Sequence, residues 1–159
     1  MLDLITKENI TLLIALWGAL LATYKILSDY RKSIRRLKVE VSYGFFTLRE
    51  GGVGSTVITI TAINTGHREI TLNSMGYILP DNKYSVIIEP QSNVRFPYTL
   101  SEGKQCNVWR TQRDLAEELK DHGYSGKIRL RGYYRSATGE TIKSKAIDFD
   151  IESALTTRE

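Results

Sequence analysis

The sequence predicts a mainly β chain behind one N-terminal transmembrane helix, and three observations lead there. The run Ile10–Leu27, ITLLIALWGALLATYKIL, holds no Asp, Glu or Arg, and its one charge, Lys25, lies two residues from the end. From Lys38 the apolar period changes from about 3.6 to about 2, from a helix stripe to a strand face. Beyond it, turn-forming clusters recur roughly every ten residues, the rhythm of short antiparallel strands.

As a helix rising ~1.5 Å per residue, Ile10–Leu27 reaches about 27 Å, close to the hydrocarbon thickness of a bilayer. A secretory signal wants positive charge before the apolar run. Here Asp3, Lys7 and Glu8 precede it, while Lys25, Arg31, Lys32, Arg35, Arg36 and Lys38 follow. A core helix or an in-plane amphipathic helix would carry a polar face, and between Ile10 and Ala22 only Thr11 and Gly18 are not strongly apolar. The basic flank predicts a cytoplasmic C-terminal side, with the short N-terminus outside. Tyr24 and Tyr30 suit the interface, whereas Trp17 sits mid-span, where it packs on a helix or faces lipid.

The predicted organisation is a tail over 1–9, the span over 10–27, a basic helical stalk over 28–37, a β-sandwich over 38–152 and a tail over 153–159. In the stalk Ile26, Tyr30, Ile34 and Leu37 recur at helical spacing. In the domain Val39, Val41, Tyr43 and Phe45 alternate with polar residues. Gly51–Ser55 is a turn. Val57–Asn64 is the clearest strand, with Ile58, Ile60 and Ala62 on one face. Asn64-Thr65-Gly66 ends it, since Asn and Gly tolerate a left-handed backbone. Glu69–Leu79 changes apolar parity near Asn73-Ser74, a bulge signature. Pro80-Asp81-Asn82 turns into a strand over Tyr84–Glu89, and Pro90 and Pro97 bound a segment fit for a sheet edge.

Gln105–Trp109 is a further strand. A helix starts at Thr111, with Asp114 in the capping-box position, an apolar stripe of Leu115, Ala116 and Leu119, and Gly123 at its close. Two final strands, Lys127–Arg135 and Glu140–Ile151, flank Ser136–Gly139. About seven strands with one inserted short helix predict an antiparallel immunoglobulin-like β-sandwich, argued from spacing because the Cys…Trp…Cys core of antibody domains is absent.

Charge is unevenly spread. Residues 1–38 carry seven Lys/Arg against three Asp/Glu, and residues 39–159 carry fifteen against fifteen. The basic excess therefore belongs to the membrane flank, where it meets anionic lipid, and nucleic-acid binding is disfavoured. The single cysteine, Cys106, cannot form an internal disulfide and reads as a small, partly buried hydrophobe in a reducing compartment.

The order of span, basic flank, VEVSYGFF, ITITAINTGHREITLNSMGYILPD, PYTLSEGKQCNVW, a short helix and GKIRLRGYYRSATGETIKSKAIDFDI resembles a widespread group of uncharacterised short bacterial single-span membrane proteins with a C-terminal β-sandwich. The resemblance covers nearly the whole chain. It implies the same architecture in a bacterial inner membrane, and brings neither an activity nor binding residues.

No serine elbow, HExxH, paired CxxC or phosphate-loop Gly-Lys-Ser/Thr is present, and His67 and His122 both lie beside turns. No enzyme, cofactor or metal site is expected. Asp148 and Asp150 share a strand face but read as solvated charges. The last hairpin is the candidate ligand site. Lys127, Arg129, Arg131, Tyr133 and Arg135 fall on one face, opposite Ile128, Leu130 and Tyr134. Lys143 and Lys145 either join that face or fall behind it, according to register. Such a face grips a phosphate-bearing small ligand or an acidic partner, or is a solvated surface balanced by Glu140, Asp148 and Asp150. Within the span, Ala15/Ala19 and Gly18/Ala22 are small-xxx-small pairs that let helices approach. The sequence thus points to a membrane-tethered module that binds a protein partner or a second copy. The alternatives are a ligand-gated membrane effector, as in antiviral defence, and an accessory subunit of a membrane complex.

Overall fold

The computed structural model of the chain describes residues 7–47 and 53–156. It divides into two units, Met1–Ile34 and Arg35–Glu159.

The first unit is one helix, α1, Lys7–Ser33. Its stretch Asn9–Tyr30 has a mean hydropathy of 1.9 and is long and apolar enough to cross a membrane, with none of that window buried. The helix outruns the predicted span at both ends. It begins inside the expected 1–9 tail and stops short of Leu37, the predicted end of the stalk. Leu37 instead opens the first strand opposite Asn64 and packs against the domain core. Its partly buried side chain joins the sandwich rather than the helix, although Ile34 and Leu37 continue the helical spacing, a case of tertiary packing overriding a local pattern. Glycine and proline are absent between the units.

The second unit is an antiparallel β-sandwich. One sheet runs in the order β1 (Leu37–Thr47), β2 (Val53–Asn64), β7 (Gln105–Thr111), β5 (Gln91–Ser92). The other runs β10 (Ile147–Asp150), β8 (Lys127–Ser136), β3 (Ile70–Ile78), β4 (Tyr84–Val86). In addition, β6 (Tyr98–Leu100) pairs with β3 and β9 (Thr141–Lys143) with β8. Helix α2, Gln112–Asp121, follows β7, and α3, Ile151–Thr156, follows β10.

The core lies between the sheets. Ile58, Ile60 and Ala62 face inward from β2 as their spacing predicts, against Leu72, Met75, Leu130, Tyr134 and Phe149. Fully burying a side chain of this size stabilises by about 1.5–3 kcal/mol. The Tyr134 hydroxyl donates to the Ile60 carbonyl at 3.1 Å and so ties one sheet to the other. The sheets approach closely at Gly132, where an added Cβ would lie 2.5 Å from Val41 Cγ2 and 2.8 Å from Ile60 Cγ2. Cys106 is fully buried, and burial pushes its thiol pKa up.

Several expectations are met locally. The register of β3 against β8 slips between Leu72 and Ser74, where parity changes. The Thr111 side chain accepts from the Asp114 N–H at 3.1 Å, and Gly123 adopts φ 85° past the end of α2. The Pro90–Pro97 segment supplies β5, at the edge of its sheet.

Others need correction. The strand expected over Glu140–Ile151 is two strands, with Ile151 opening α3, so the expected 153–159 tail is helical through Thr156 and the inserted helix is not alone. Asn64 is not left-handed. It ends β2 through its buried side chain, which donates to the carbonyls of Arg68 (2.7 Å) and Leu100 (2.9 Å) and accepts from the Gly66 N–H (3.0 Å). Val53 to Ser55, expected in a turn, already belong to β2, while Gly51 and Gly52 lie outside the described residues.

Candidate functional site

The outer face of the second sheet is set by three cross-strand rows. Arg131 lies opposite Ile78, which lies opposite Tyr84. Lys143, Tyr133, Gly76 and Val86 form the next row. Thr141, Arg135 and Ser74 form the third. Because residues directly opposite share a face, these rows bring Arg131, Arg135 and Lys143 to one surface.

A bulge resolves the Lys143/Lys145 ambiguity. Lys143 faces Tyr133, but Ile147 faces Leu130, so the β9–β10 side holds one residue more than β8 over this interval. The extra residue sits at Ser144–Ala146. The Ser144 N–H donates to the Gly132 carbonyl (2.8 Å), and its hydroxyl accepts from the Gly132 N–H (2.9 Å) and donates to the Lys145 carbonyl (2.7 Å). Parity flips across it. Lys143 therefore joins the basic face. Lys145 lines a separate cavity of about 310 Å³ with Lys38, Val41 and Ile147. Past the bulge, Asp148 and Asp150 come onto the outer face, opposite Arg129 and Lys127. Arg129 Nε lies 3.7 Å from Asp148 Oδ1, an exposed pair of small energetic weight that still balances the local charge.

The predicted stripe is thus divided. Lys127 and Arg129 have carboxylates opposite them, whereas Arg131, Arg135 and Lys143 form no ion pair among the described residues. Arg135 Nε donates to Thr141 Oγ1 at 3.3 Å.

Tyr133 lies on the predicted face but is only 2% exposed, so it is not the aromatic a ligand would meet. Its ring lies against Gly76, where an added Cβ would be 3.1 Å from Tyr133 Cε1 and 1.9 Å from the Ser85 carbonyl oxygen. Tyr84 packs edge-on against it at 5.0 Å, and Lys143 Nζ stands 5.8 Å from the Tyr84 ring centroid. The accessible aromatic is Tyr84, 45% exposed. The hairpin turn at Pro80–Asn82 was the sequence signal for it, but the Ile78–Tyr84 register was needed to put Tyr84 beside the basic residues.

A cleft of about 290 Å³ runs between β4 and α2, lined by Lys83–Val86 on one wall and by Glu118, Leu119, His122 and Tyr124 on the other. Its charges are largely engaged. Lys83 pairs with Asp81 at 2.7 Å and holds the Asp81 carboxyl down at about 2. Burial alone would raise the Glu118 pKa, but hydrogen bonds from Arg110 and Ser85 (2.9 Å) and the Arg110 charge outweigh it and leave Glu118 below its ordinary value. His122 Nδ1 lies 2.8 Å from the Glu118 carbonyl oxygen at the end of α2.

The flank residues are divided between the two units, Lys25, Arg31 and Lys32 in the first and Arg35, Arg36 and Lys38 in the second. Lys25 is exposed on α1, and the side chains of Arg31 and Lys32 lie outside the described residues. Arg35 lines a cavity of about 100 Å³ with Thr138 and Glu140, the Arg36 carbonyl caps Thr65 and Gly66, and Lys38 pairs with Glu40. Ala15, Gly18, Ala19 and Ala22 are exposed on α1, with no atom within 4 Å of a Cβ added at Gly18. Among the described residues no three His, Cys, Asp or Glu side chains converge on a metal position. His67 is engaged with Glu102 at 2.6 Å, on a different turn from His122.

No family model matches the chain, and no curated protein matches it. Among solved structures, one provisionally described as the ApaA protein of Bordetella pertussis is 11% identical with a TM-score of 0.41, over 73% of this chain and 94% of that one. An X-ray structure of a structural-genomics target, SoR45, is 15% identical with a TM-score of 0.41, over 77% of this chain and 92% of that one. Likeness at this level carries no argument about what the chain does.

Proposed function

We propose that the chain is a non-enzymatic single-pass membrane protein whose β-sandwich, on the cytoplasmic side of a bacterial inner membrane, binds a protein partner or a second copy of itself. The observation that supports it most is a helix whose large apolar side chains are all exposed, followed closely by a β domain with a bare basic and aromatic outer face. Exposed apolar helix surface needs lipid or another helix as its solvent. The basic excess of residues 1–38 supports the orientation. A binding role also fits the engagement of His67 with Glu102, His122 with the end of α2, Asp81 with Lys83 and Glu118 with Arg110.

The test is crosslinking of the full-length chain in its native membrane, followed by purification and a copy-number measurement. A discrete partner or a defined oligomer is expected. Recovery of a lone monomer under conditions that capture a known membrane complex would reject the reading.

The effector alternative draws on the bare small-residue face around Gly18. It predicts that expression with a phosphate-bearing ligand depolarises cells and that Gly18→Leu abolishes the effect. Depolarisation unchanged by Gly18→Leu would remove the span interface from consideration.

A further inference from the structure

The bare cations of the second sheet share their outer face with exposed apolar side chains. Ile87 packs towards the core, so Val86 and Ile88 on either side of it face outward, as Tyr84 does two residues earlier. Tyr84, Val86 and Ile88 are 45%, 52% and 88% exposed. The other large apolar side chains exposed on the domain, among the described residues, are Tyr43, Phe45 and Phe46. They lie on β1, close to residues 48–52, which are outside the described ones. Exposed apolar groups beside unpaired cations are the composition of a surface that meets lipid at headgroup level.

Spacing and charge narrow the occupant. Arg131 and Arg135 stand about 13 Å apart along β8, and three strand spacings of about 4.8 Å separate β9 from β4. A small phosphate would reach one or two of Arg131, Arg135 and Lys143, whereas a plane of anionic headgroups meets all three. An acidic peptide would answer the cations and leave the apolar row in water. The carboxylates around the face are mostly engaged. Asp148 and Asp150 lie opposite Arg129 and Lys127, Asp81 pairs with Lys83 at 2.7 Å, and Glu140 lines a cavity with Arg35. Glu89, beside Ile88, opposes the three bare cations, and three less one leaves a local charge of +2. Only Ile34, Arg35 and Arg36 separate α1 from β1, about 11 Å of chain even when fully extended. With α1 in a bilayer, lipid contact by the domain is an intramolecular event, so a weakly attractive face suffices.

We propose that the outer face of the second sheet docks on the anionic lipid surface of the membrane that α1 spans. Arg131, Arg135 and Lys143 lie against headgroup phosphates, and Tyr84, Val86 and Ile88 enter the interface. The proposal rests on the reading of α1 as a span and goes beyond the binding-module reading: it gives this face to lipid and leaves a protein partner the rest of the domain.

The test uses the full chain in nanodiscs of phosphatidylcholine alone or with about 30% phosphatidylglycerol. An environment-sensitive dye is attached at Ile88→Cys, or at Gln105→Cys on the outer face of the other sheet, opposite Ile63; Cys106 is fully buried and stays unlabelled. Both leaflets of a disc carry the same lipid, so the outcome does not depend on which side the domain occupies, and incorporation into discs tests the span separately. In anionic discs the dye at position 88 is expected to shift to the blue and to be shielded from acrylamide, and salt should reverse both. In phosphatidylcholine discs, and at position 105 in either lipid, it stays open to the quencher. Lys143→Gln should move the docked-to-free ratio about fivefold towards free, the factor that one cation contributes near an anionic surface. Adding Arg131→Gln and Arg135→Gln should abolish the shielding. The lipid and salt arms keep the test independent of whether these variants fold. Equal shielding in both lipids, equal shielding at position 105, or shielding unchanged in the triple variant would overturn the proposal. So would shielding in phosphatidylcholine discs on addition of inorganic phosphate or polyglutamate, since a soluble anion or an acidic protein would then hold the face. A partner crosslinked in native membranes by a chain that fails these tests would leave the binding-module reading standing.

Discussion

Adding one methyl group at Gly132 tests how the two sheets close. A Cβ there would stand 2.5 Å from Val41 Cγ2 and 2.8 Å from Ile60 Cγ2, against an ordinary carbon contact of about 3.5–4.0 Å. Both neighbours are β-branched and stiff about χ1, so neither can swing aside cheaply. The backbone of Gly132 cannot retreat either, because both its N–H and its carbonyl are bonded to Ser144. Gly132→Ala should therefore cost about 1–3 kcal/mol of overpacking, partly offset by about 0.4–1 kcal/mol from a stiffer unfolded chain. The net loss, about 1–2 kcal/mol, lowers Tm by roughly 3–10 °C for a domain of this size. Urea unfolding of the full chain in detergent, in a Trp17→Phe background so that Trp109 reports on the domain, should show a lower midpoint at unchanged slope. Val41→Ala removes the nearest obstructing methyl and should rescue the Gly132→Ala chain, with a coupling of about 1 kcal/mol. A midpoint equal to or above that of the unmodified chain would refute the reasoning. So would Val41→Ala adding its full cost with no rescue.

Thr111→Ala removes the acceptor for the Asp114 N–H at the start of α2 and should destabilise the domain by about 0.5–2 kcal/mol, with Thr111→Ser restoring most of it in the same unfolding assay. Glu118 has a folded pKa below its unfolded value, so its contribution is present above the ordinary glutamate pKa and is lost as pH falls through the lower, folded one. Stability measured from neutral pH down to about 3 should fall in that acidic window, and Glu118→Gln should flatten this part of the profile while lowering stability at neutral pH, where Arg110 loses its counter-charge. An unaltered profile in Glu118→Gln would remove the ion pair from the account.

Elements whose signal is local were legible in the chain. The apolar run of α1 needs no partner to be recognised, and the Thr111 cap, the β3 bulge and the inward face of β2 each follow from residues a few positions apart. The candidate site was half legible. Alternation along β8 correctly separates Arg129, Arg131 and Arg135 from Leu130 and Tyr134, since period 2 is a property of a single strand. What covers that strand is not such a property. Tyr133 shares the parity of the arginines yet is buried, because Gly76 on β3 gives its ring room and Tyr84 on β4 closes over it.

Sequence alone therefore determined the class of the chain: an apolar helix of membrane-spanning length, its basic flank, and a β domain with alternating faces. These are one-dimensional quantities, the sum of hydropathy over a window and the period of a pattern. Only the tertiary structure decided where the helix yields to β1, which lysine joins the basic face, which arginines remain bare and which aromatic is accessible. Each depends on register between strands distant in sequence, and a single extra residue at Ser144–Ala146 carries Asp148 and Asp150 onto the face that Lys145 leaves. A one-residue slip exchanges the two faces of a strand without changing its composition.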